Sequence, residues 1–474
     1  MPYRQQIHDD LAAHRGEIVA LMKKLVRIPS VRGEAAPGAP FGQACRDALE
    51  FVKSLAETEG LTTTLDAEGG YLLAEYGEGT RSLGLFAHAD VVPVGDDWMY
   101  TAPFEPLEKD GFLIGRGVID DKAAIAVALL CVKLLRELSI PFHSRLVLFT
   151  GANEESGMQD IKNYLAAYRP PDFSLVCDTA FPLYYGNKGR ITFTAASGVL
   201  SDAFRSFTGG SGGTVIGAAE ARLAPDAAML DWLKSRERDN LTVSAEDGEI
   251  LLRAVGIARH SALPEGSRNA AGMLTSLLAD CPLLPESDRA ILRFAASITA
   301  AHDGAALGIA SDDPPFGRLT CVCTACRLQE HRLTLDFNLR YGGAPRADAL
   351  CAQINAAMAA AGWTAAAYQV GTPPGYVPPD DAYAAACLAA YREVTGDMQS
   401  RPQINAGGTY RAYLAAAGAK AIEIGPTCGG WPPFPMPAGH GHVHQPDECA
   451  SIDGILRAAE ITMQMLLACD ALNH

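Results

Sequence analysis

With 474 residues, 48% of them hydrophobic and 20% charged, the chain has the make-up of a globular protein too long for one compact domain. A formal net charge of −16 leaves no basic footprint, which excludes nucleic acid or an anionic membrane as the principal partner. Twelve cysteines over such a length do not make a secreted disulfide framework. The opening stretch Met1 to Leu25 lacks the apolar core of a signal peptide, and no later run is of membrane-spanning length, so a cytoplasmic protein is expected.

In chain order, Gln6 to Ile28 predicts an opening amphipathic helix that stops near Pro29-Ser30. A second helix is predicted over Phe41 to Glu59, with Ala48, Phe51, Val52 and Leu55 on its apolar side. Leu72 to Tyr76 and Leu83 to Ala87 read as strands, and Asp121 to Leu138 as an Ala- and Leu-rich helix. Leu146 to Thr150 is a short apolar run bounded by turn residues, which suits a strand buried on both faces. A helix over Asp160 to Tyr168 and a strand over Phe173 to Cys177 follow. Such alternation predicts an α/β domain, a mixed sheet flanked by helices.

The texture changes after Gly186-Asn187-Lys188-Gly189. Ile191 to Ala196, Ile250 to Ile257, Arg318 to Ala325 and Arg332 to Tyr341 alternate as antiparallel strands do, with helices between them. Residues 187–372 are therefore expected to form an inserted α+β domain, with Pro373-Pro374-Gly375 and Pro378-Pro379 marking its exit. Residues 373–474, with a helix over Asp381 to Thr395 and a strand over Ala421 to Ile424, return to the domain begun by residues 1–186. Inside the insert, Cys321-Val322-Cys323-Thr324-Ala325-Cys326 lacks the second cysteine pair or paired histidines of a zinc finger, so strand packing is expected.

Several segments carry hard-metal ligand types. Leu146 to Thr150 leads into Glu154-Glu155, and ligands of open α/β sheets sit beyond such carboxyl ends. Two adjacent acids there resist joint ionisation unless a cation is near. Leu83 to Ala87 runs into His88-Ala89-Asp90, where a carboxylate can orient a ligating imidazole. Asp120 and Asp121 open a helix, which is equally the place for ordinary capping acids. Asp178 ends the strand over Phe173 to Cys177, and His440, His442 and His444 alternate ahead of Gln445-Pro446-Asp447-Glu448. Each is weak alone. Jointly they supply ligands for two divalent ions that share one bridging carboxylate, with a member of Glu154-Glu155 left as base for a water.

Assembled, these segments resemble the aminoacylase/carboxypeptidase clan of two-zinc metallopeptidases, and within it the PepV-like and carnosinase-like dipeptidase branch, nearly end to end. The resemblance implies a zinc-peptidase type catalytic domain with an inserted lid. It also implies two divalent metal ions, zinc first, with manganese and cobalt as alternatives. His88 and Asp178 would hold one ion, Glu155 and His444 the other, and Asp120 both. Asp90 would orient His88, Glu154 would be the general base, and a cis peptide would follow Asp120. In the insert, the stretch from Gly256 to Ala270 matches a motif whose histidine, here His260, donates to the oxyanion, with Asn269 as a substrate contact. Arg340, in Asp336-Phe337-Asn338-Leu339-Arg340-Tyr341, would grip the substrate carboxylate. Gly408 and Thr409, in Gly407-Gly408-Thr409-Tyr410, would offer it backbone and hydroxyl donors.

The departures are Ala123 for the usual Gly after Asp120-Asp121-Lys122, and Thr214 and Gly217 for the usual lid Asn and Pro. The implied reaction is amide hydrolysis of small dipeptides bearing a free carboxylate. The alternatives are an N-acyl amino acid deacylase of the same clan and a non-catalytic binding protein on this fold. A large insert carrying its own His260 favours a monomer, with a homodimer as the option where that histidine comes from a partner.

Overall fold

The computed structural model describes residues 3–473, so the first two positions of the opening stretch lie outside the described residues. The chain divides into two compact units, one drawn from residues 1–186 and 376–474, the other from 187–375.

The first unit is built on a mixed sheet. Its strands run in the order Thr62–Asp66, Tyr71–Tyr76, Arg145–Gly151, Ser82–His88, Phe173–Val176, Lys420–Glu423 and Tyr184–Asn187. Ser82–His88 lies parallel between Arg145–Gly151 and Phe173–Val176, and the latter is parallel to Lys420–Glu423. Alternate residues of these strands feed two separate cores. Leu83, Leu85, Leu146, Leu148 and Leu175 join one face, while Phe86, Val147, Phe149 and Val176 join the other. Gln43–Thr58, Lys122–Glu137 and Ile452–Ala471 contribute their apolar residues to the first face. Gln159–Ala167 and Tyr410–Ala416 cover the second, where Tyr164 and Tyr410 close on Phe149.

The single opening helix expected over Gln6 to Ile28 is two helices, Arg4–Ala13 and Arg15–Val26. They part at His14, whose Nδ1 lies 2.8 Å from the Asp10 carbonyl and so competes with the backbone ladder, and Gly16 follows at once. The apolar period runs through this break, which is why the sequence reads as one helix.

The second unit is an antiparallel sheet in the order Leu241–Glu246, Glu249–Val255, Ala218–Leu223, Phe204–Gly209, Thr320–Gln329, Arg332–Tyr341, Gly189–Val199 and Thr364–Val370. One face is apolar: Ile191, Phe193, Cys321, Cys323, Leu335, Phe337 and Leu339 pack with Leu274, Leu292 and Ile354 from the helices. Cys321, Cys323 and Cys326 are buried within it. The alternating residues Arg190, Thr192, Asn338 and Arg340 lie on the opposite face. The unit closes at Gly375 rather than at residue 372, because Asn187 Nδ2 bonds the Pro373 carbonyl at 3.4 Å and Gly371 N bonds the Arg190 carbonyl at 2.9 Å. Among the described residues no helix is long and apolar enough to cross a membrane.

Candidate metal centre

Neighbouring parallel strands of the first unit end at one rim. Register pairs His88 with Gly151 and Phe86 with Val176. The chain beyond each strand therefore emerges about 4.7–4.9 Å from its neighbour, bringing His88, Glu154-Glu155 and Asp178 together. His88 Nε2 lies 3.0 Å from Asp120 Oδ1 and 3.8 Å from Asp178 Oδ1. His444 Nε2 lies 2.9 Å from Asp120 Oδ2 and 3.1 Å from Glu155 Oε1. Asp120 thus turns one oxygen to each imidazole. Ligand atoms of His88, Glu154 and Asp178 also fall within 4.8 Å of one another. The peptide between Asp120 and Asp121 is cis. Of the three alternating histidines only His444 joins this cluster: His440 Nδ1 bonds Asp447 at 2.7 Å, and His442 packs at a tilt against Trp431.

The donor set fits a divalent cation. Two nitrogen or oxygen ligands each about 2.0–2.2 Å from a tetrahedral ion lie roughly 3.3–3.6 Å apart, and the spacings here run from 2.9 to 3.8 Å. Among the described residues His88 Nε2 and Asp120 Oδ1 are buried without a hydrogen-bond partner, although they face each other. Asp120, Asp121, Glu154, Glu155 and Asp178 crowd their charges around His88 and His444, an excess of negative charge that burial tolerates only with a counter-cation.

That crowding shows in the protonation of each group. Burial, reinforced by the charges of Asp178, Glu155 and Asp120, pushes Glu154 well above the usual carboxylate range. Burial and Asp120 raise Asp178 to about 6. Burial alone would lower His88, but the nearby carboxylates of Asp120, Asp178 and Asp90 outweigh it and hold the imidazole well above its ordinary value. Asp120 and Glu155 raise His444 to about 10. Absent another cation, the imidazoles take protons to balance the acids.

Further buried carboxylates fix the loops that carry the cluster. Asp90 accepts the backbone N–H of Glu154 and of Glu155, both at 3.1 Å. The bond that orients His88 is to the Asp90 carbonyl, at 2.9 Å from Nδ1, with the carboxylate farther off at 3.4 Å. The expected Asp90 to His88 link therefore runs chiefly through the main chain, because the carboxylate is taken up by the Glu154-Glu155 turn. Glu448 accepts from Arg116 Nη1 at 2.7 Å and from the N–H groups of Gly117, Ile119 and Asp120 at 3.2, 2.8 and 3.1 Å. Asp160 accepts the Asn153 N–H at 2.7 Å and the Tyr410 hydroxyl at 2.5 Å. Sequence reasoning assigned none of these roles to Glu448, Asp160 or Tyr410; the one local signal was the position of Glu448 beside the His444 motif.

In the Gly-rich loop, Gly408 is exposed and a Cβ there would meet nothing within 4 Å, so its backbone is open to approach. Thr409 has a structural task. Its hydroxyl donates to Glu423 Oε1 at 2.7 Å and accepts from Arg411 N, capping the helix Tyr410–Ala416. Asn269, in the second unit, is likewise an N-cap: Oδ1 accepts from Ala271 N and Gly272 N, and Nδ2 donates to the Cys323 carbonyl. Its side chain therefore caps the helix Ala270–Ala279. His260 sits in a loop whose backbone pairs with Thr214, and its Nδ1 accepts from Ala262 N at 3.3 Å. Gly217 has a local cause: a Cβ there would fall 2.9 Å from the Ala258 Cβ.

The model of peptidase family M20/M25/M40 matches residues 84–468. A Bacillus subtilis (strain 168) protein described as "Putative dipeptidase YtjP" is 26% identical over 473 residues, covering 95% of this chain and 96% of that protein. Among solved structures, human carnosine dipeptidase 1 aligns with a TM-score of 0.57 at 15% identity, covering 99% of this chain and all (100%) of its own. The di-peptidase Dug1p from Saccharomyces cerevisiae aligns at 0.58 and 13% identity, with coverage of 99% and 98%. Both structural likenesses establish the same α/β fold. With the match to the family model covering most of the sequence, the chain belongs to peptidase family M20/M25/M40 and is a metallopeptidase.

Proposed function

We propose that the chain is a dipeptidase that hydrolyses the amide of dipeptides bearing a free carboxylate, at a dinuclear metal centre with Glu154 as general base. One observation carries the reading: the two oxygens of Asp120 each address a different imidazole, as a bridging ligand must. The dipeptidase description of the Bacillus relative supports the substrate class.

His88, Asp178 and Asp120 would hold one cation, and His444, Glu155 and Asp120 the other, zinc being the first choice for such a nitrogen and oxygen set. When bound, the pair polarises a carbonyl and lets a water lose its proton near neutral pH. Glu154 takes that proton on a carboxylate oxygen. It holds the proton until the scissile C–N bond breaks and then delivers it to the departing amine nitrogen. Asp90 keeps the two neighbouring acids in separate roles by fixing the backbone beneath both. In the second unit, proposed as a lid, His260 is the donor to the oxyanion. Arg340 takes the free carboxylate.

The test is chelation, which should abolish turnover, followed by addition of zinc or manganese. Recovered hydrolysis of unblocked dipeptides supports the reading. Recovery on N-acetyl amino acids alone would make the enzyme a deacylase, and no recovery on either would overturn the metal-dependent reading.

A further inference from the structure

The polar face of the second unit's sheet carries a row of side chains that the proposed hydrolysis of a simple dipeptide does not account for. Register places Thr320, Arg340 and Arg190 directly opposite one another on three adjacent antiparallel strands, Thr320–Gln329, Arg332–Tyr341 and Gly189–Val199. Residues paired in this way share a face, with Cβ atoms about 4.5–5.5 Å apart.

Arg340 is buried, only 6% exposed, and among the described residues its guanidinium has a single partner, Asn338 Oδ1 at 3.1 Å from Nε. The charged neighbour that bears on it is another cation, Arg190. Arg190 is exposed and forms no ion pair among the described residues. Thr320 is also only 6% exposed, and among the described residues its buried Oγ1 has no hydrogen-bond partner. Lys188, two residues before Arg190, bonds the Arg318 carbonyl at 2.5 Å and feels the Arg340 charge, partly offset by Glu265 and Asp312.

Like charges directly opposite on neighbouring strands destabilise a sheet, and a buried guanidinium without a counter-ion is costly. A hydroxyl buried without a partner beside them is a third loss in the same row. All three are relieved together by a ligand with two anionic groups about one strand spacing apart. One carboxylate exhausts the fork of Arg340 with the hydroxyl of Thr320. The second guanidinium then requires a second anion. An aspartyl or glutamyl residue at a peptide's C-terminus has this form, its two carboxylates separated by a short carbon spacer.

We propose that Thr320, Arg340 and Arg190 form a subsite for a dicarboxylate, so that the preferred dipeptides end in Asp or Glu. Arg340 and Thr320 receive the main-chain carboxylate and Arg190 the side-chain one. The assignment rests on the dipeptidase reading for its substrate, and on this unit alone for its chemistry.

The test compares kcat/KM for Ala-Glu and the neutral isostere Ala-Gln in the metal-loaded enzyme, in wild type and in Arg190→Gln. Removing the charge from one end of an ionic hydrogen bond predicts a Glu-over-Gln ratio of about ten in wild type that falls to near one in the variant. Thr320→Val, which removes a hydroxyl with no protein partner, should raise KM for both peptides without lowering the melting temperature. A wild-type ratio near one, or an Arg190→Gln variant that keeps the ratio, overturns the subsite. A second readout needs no turnover: glutarate should raise the melting temperature of the metal-free full chain more than butyrate does, and Arg190→Gln should erase the difference. If neither peptide is hydrolysed while glutarate is still discriminated, the dipeptidase reading falls and the dicarboxylate subsite stands. If peptides are cleaved and neither probe discriminates, the reverse holds.

Discussion

Replacing Glu448 by Gln tests how the bridging loop is held. The substitution is isosteric, so packing is kept and the charge is lost. Arg116 is then left 1% exposed with little else: Nη2 reaches the Val94 carbonyl only at 3.5 Å, Nε has no partner, and the Trp98 ring lies 5.6 Å from Cζ. Removing one partner of a buried ion pair costs about 3–5 kcal/mol, because the other charge stays buried and uncompensated. Arg116→Met should cost less, about 1–3 kcal/mol, since Glu448 would keep the N–H groups of Gly117, Ile119 and Asp120. The double variant should fall short of the sum by about 2 kcal/mol or more. Equilibrium urea unfolding of the full chain measures all three. A Glu448→Gln cost below about 1 kcal/mol, or strict additivity with Arg116→Met, would refute the reasoning.

Glu154→Gln should lower kcat by about 10²–10⁴ while the metal content, read by elemental analysis, stays as in wild type. Glu423 gives a pH signature. Burial raises its carboxyl from 4.5 to about 7. A raised folded pKa means its contribution is complete below pH 4.5 and is lost as pH climbs through 7. Glu423→Gln should therefore gain on wild type across that window, by on the order of 3 kcal/mol, in unfolding measured at several pH values; a flat difference counts against it. Gly217→Ala should cost about 1–3 kcal/mol in the second unit by overpacking Ala258, and Ala258→Gly should recover most of it; no recovery would mean the clash is relieved elsewhere.

The gathering of these side chains was legible because they lie at the ends of short apolar strands, where local pattern fixes both the strand and the rim to which it delivers its next residue. His88, Glu154, Glu155 and Asp178 all follow that logic. The carboxylates that brace the cluster were not legible: Glu448 is separated from Arg116 by 332 positions and Asp160 from Tyr410 by 250, and no spacing rule connects such pairs. Asn269 and Thr409 carry a second signal beside the motif reading. Read through a family motif they were substrate contacts, yet each is a capping residue type immediately ahead of a helix, a signal present in the sequence itself. The edge strand Thr364–Val370 escaped notice because most of its residues are exposed, leaving little apolar alternation to detect.

The strand Lys420–Glu423 lies inside the first unit's sheet, beside Phe173–Val176, although the whole of residues 187–375 separates them along the chain. During ribosomal synthesis Phe173–Val176 is therefore born with one edge bare and stays so until the entire insert has been translated. A bare apolar edge is a template for illicit pairing. Lesions that slow maturation of the insert should accordingly appear as insoluble product, with the molecules that do mature keeping normal specific activity.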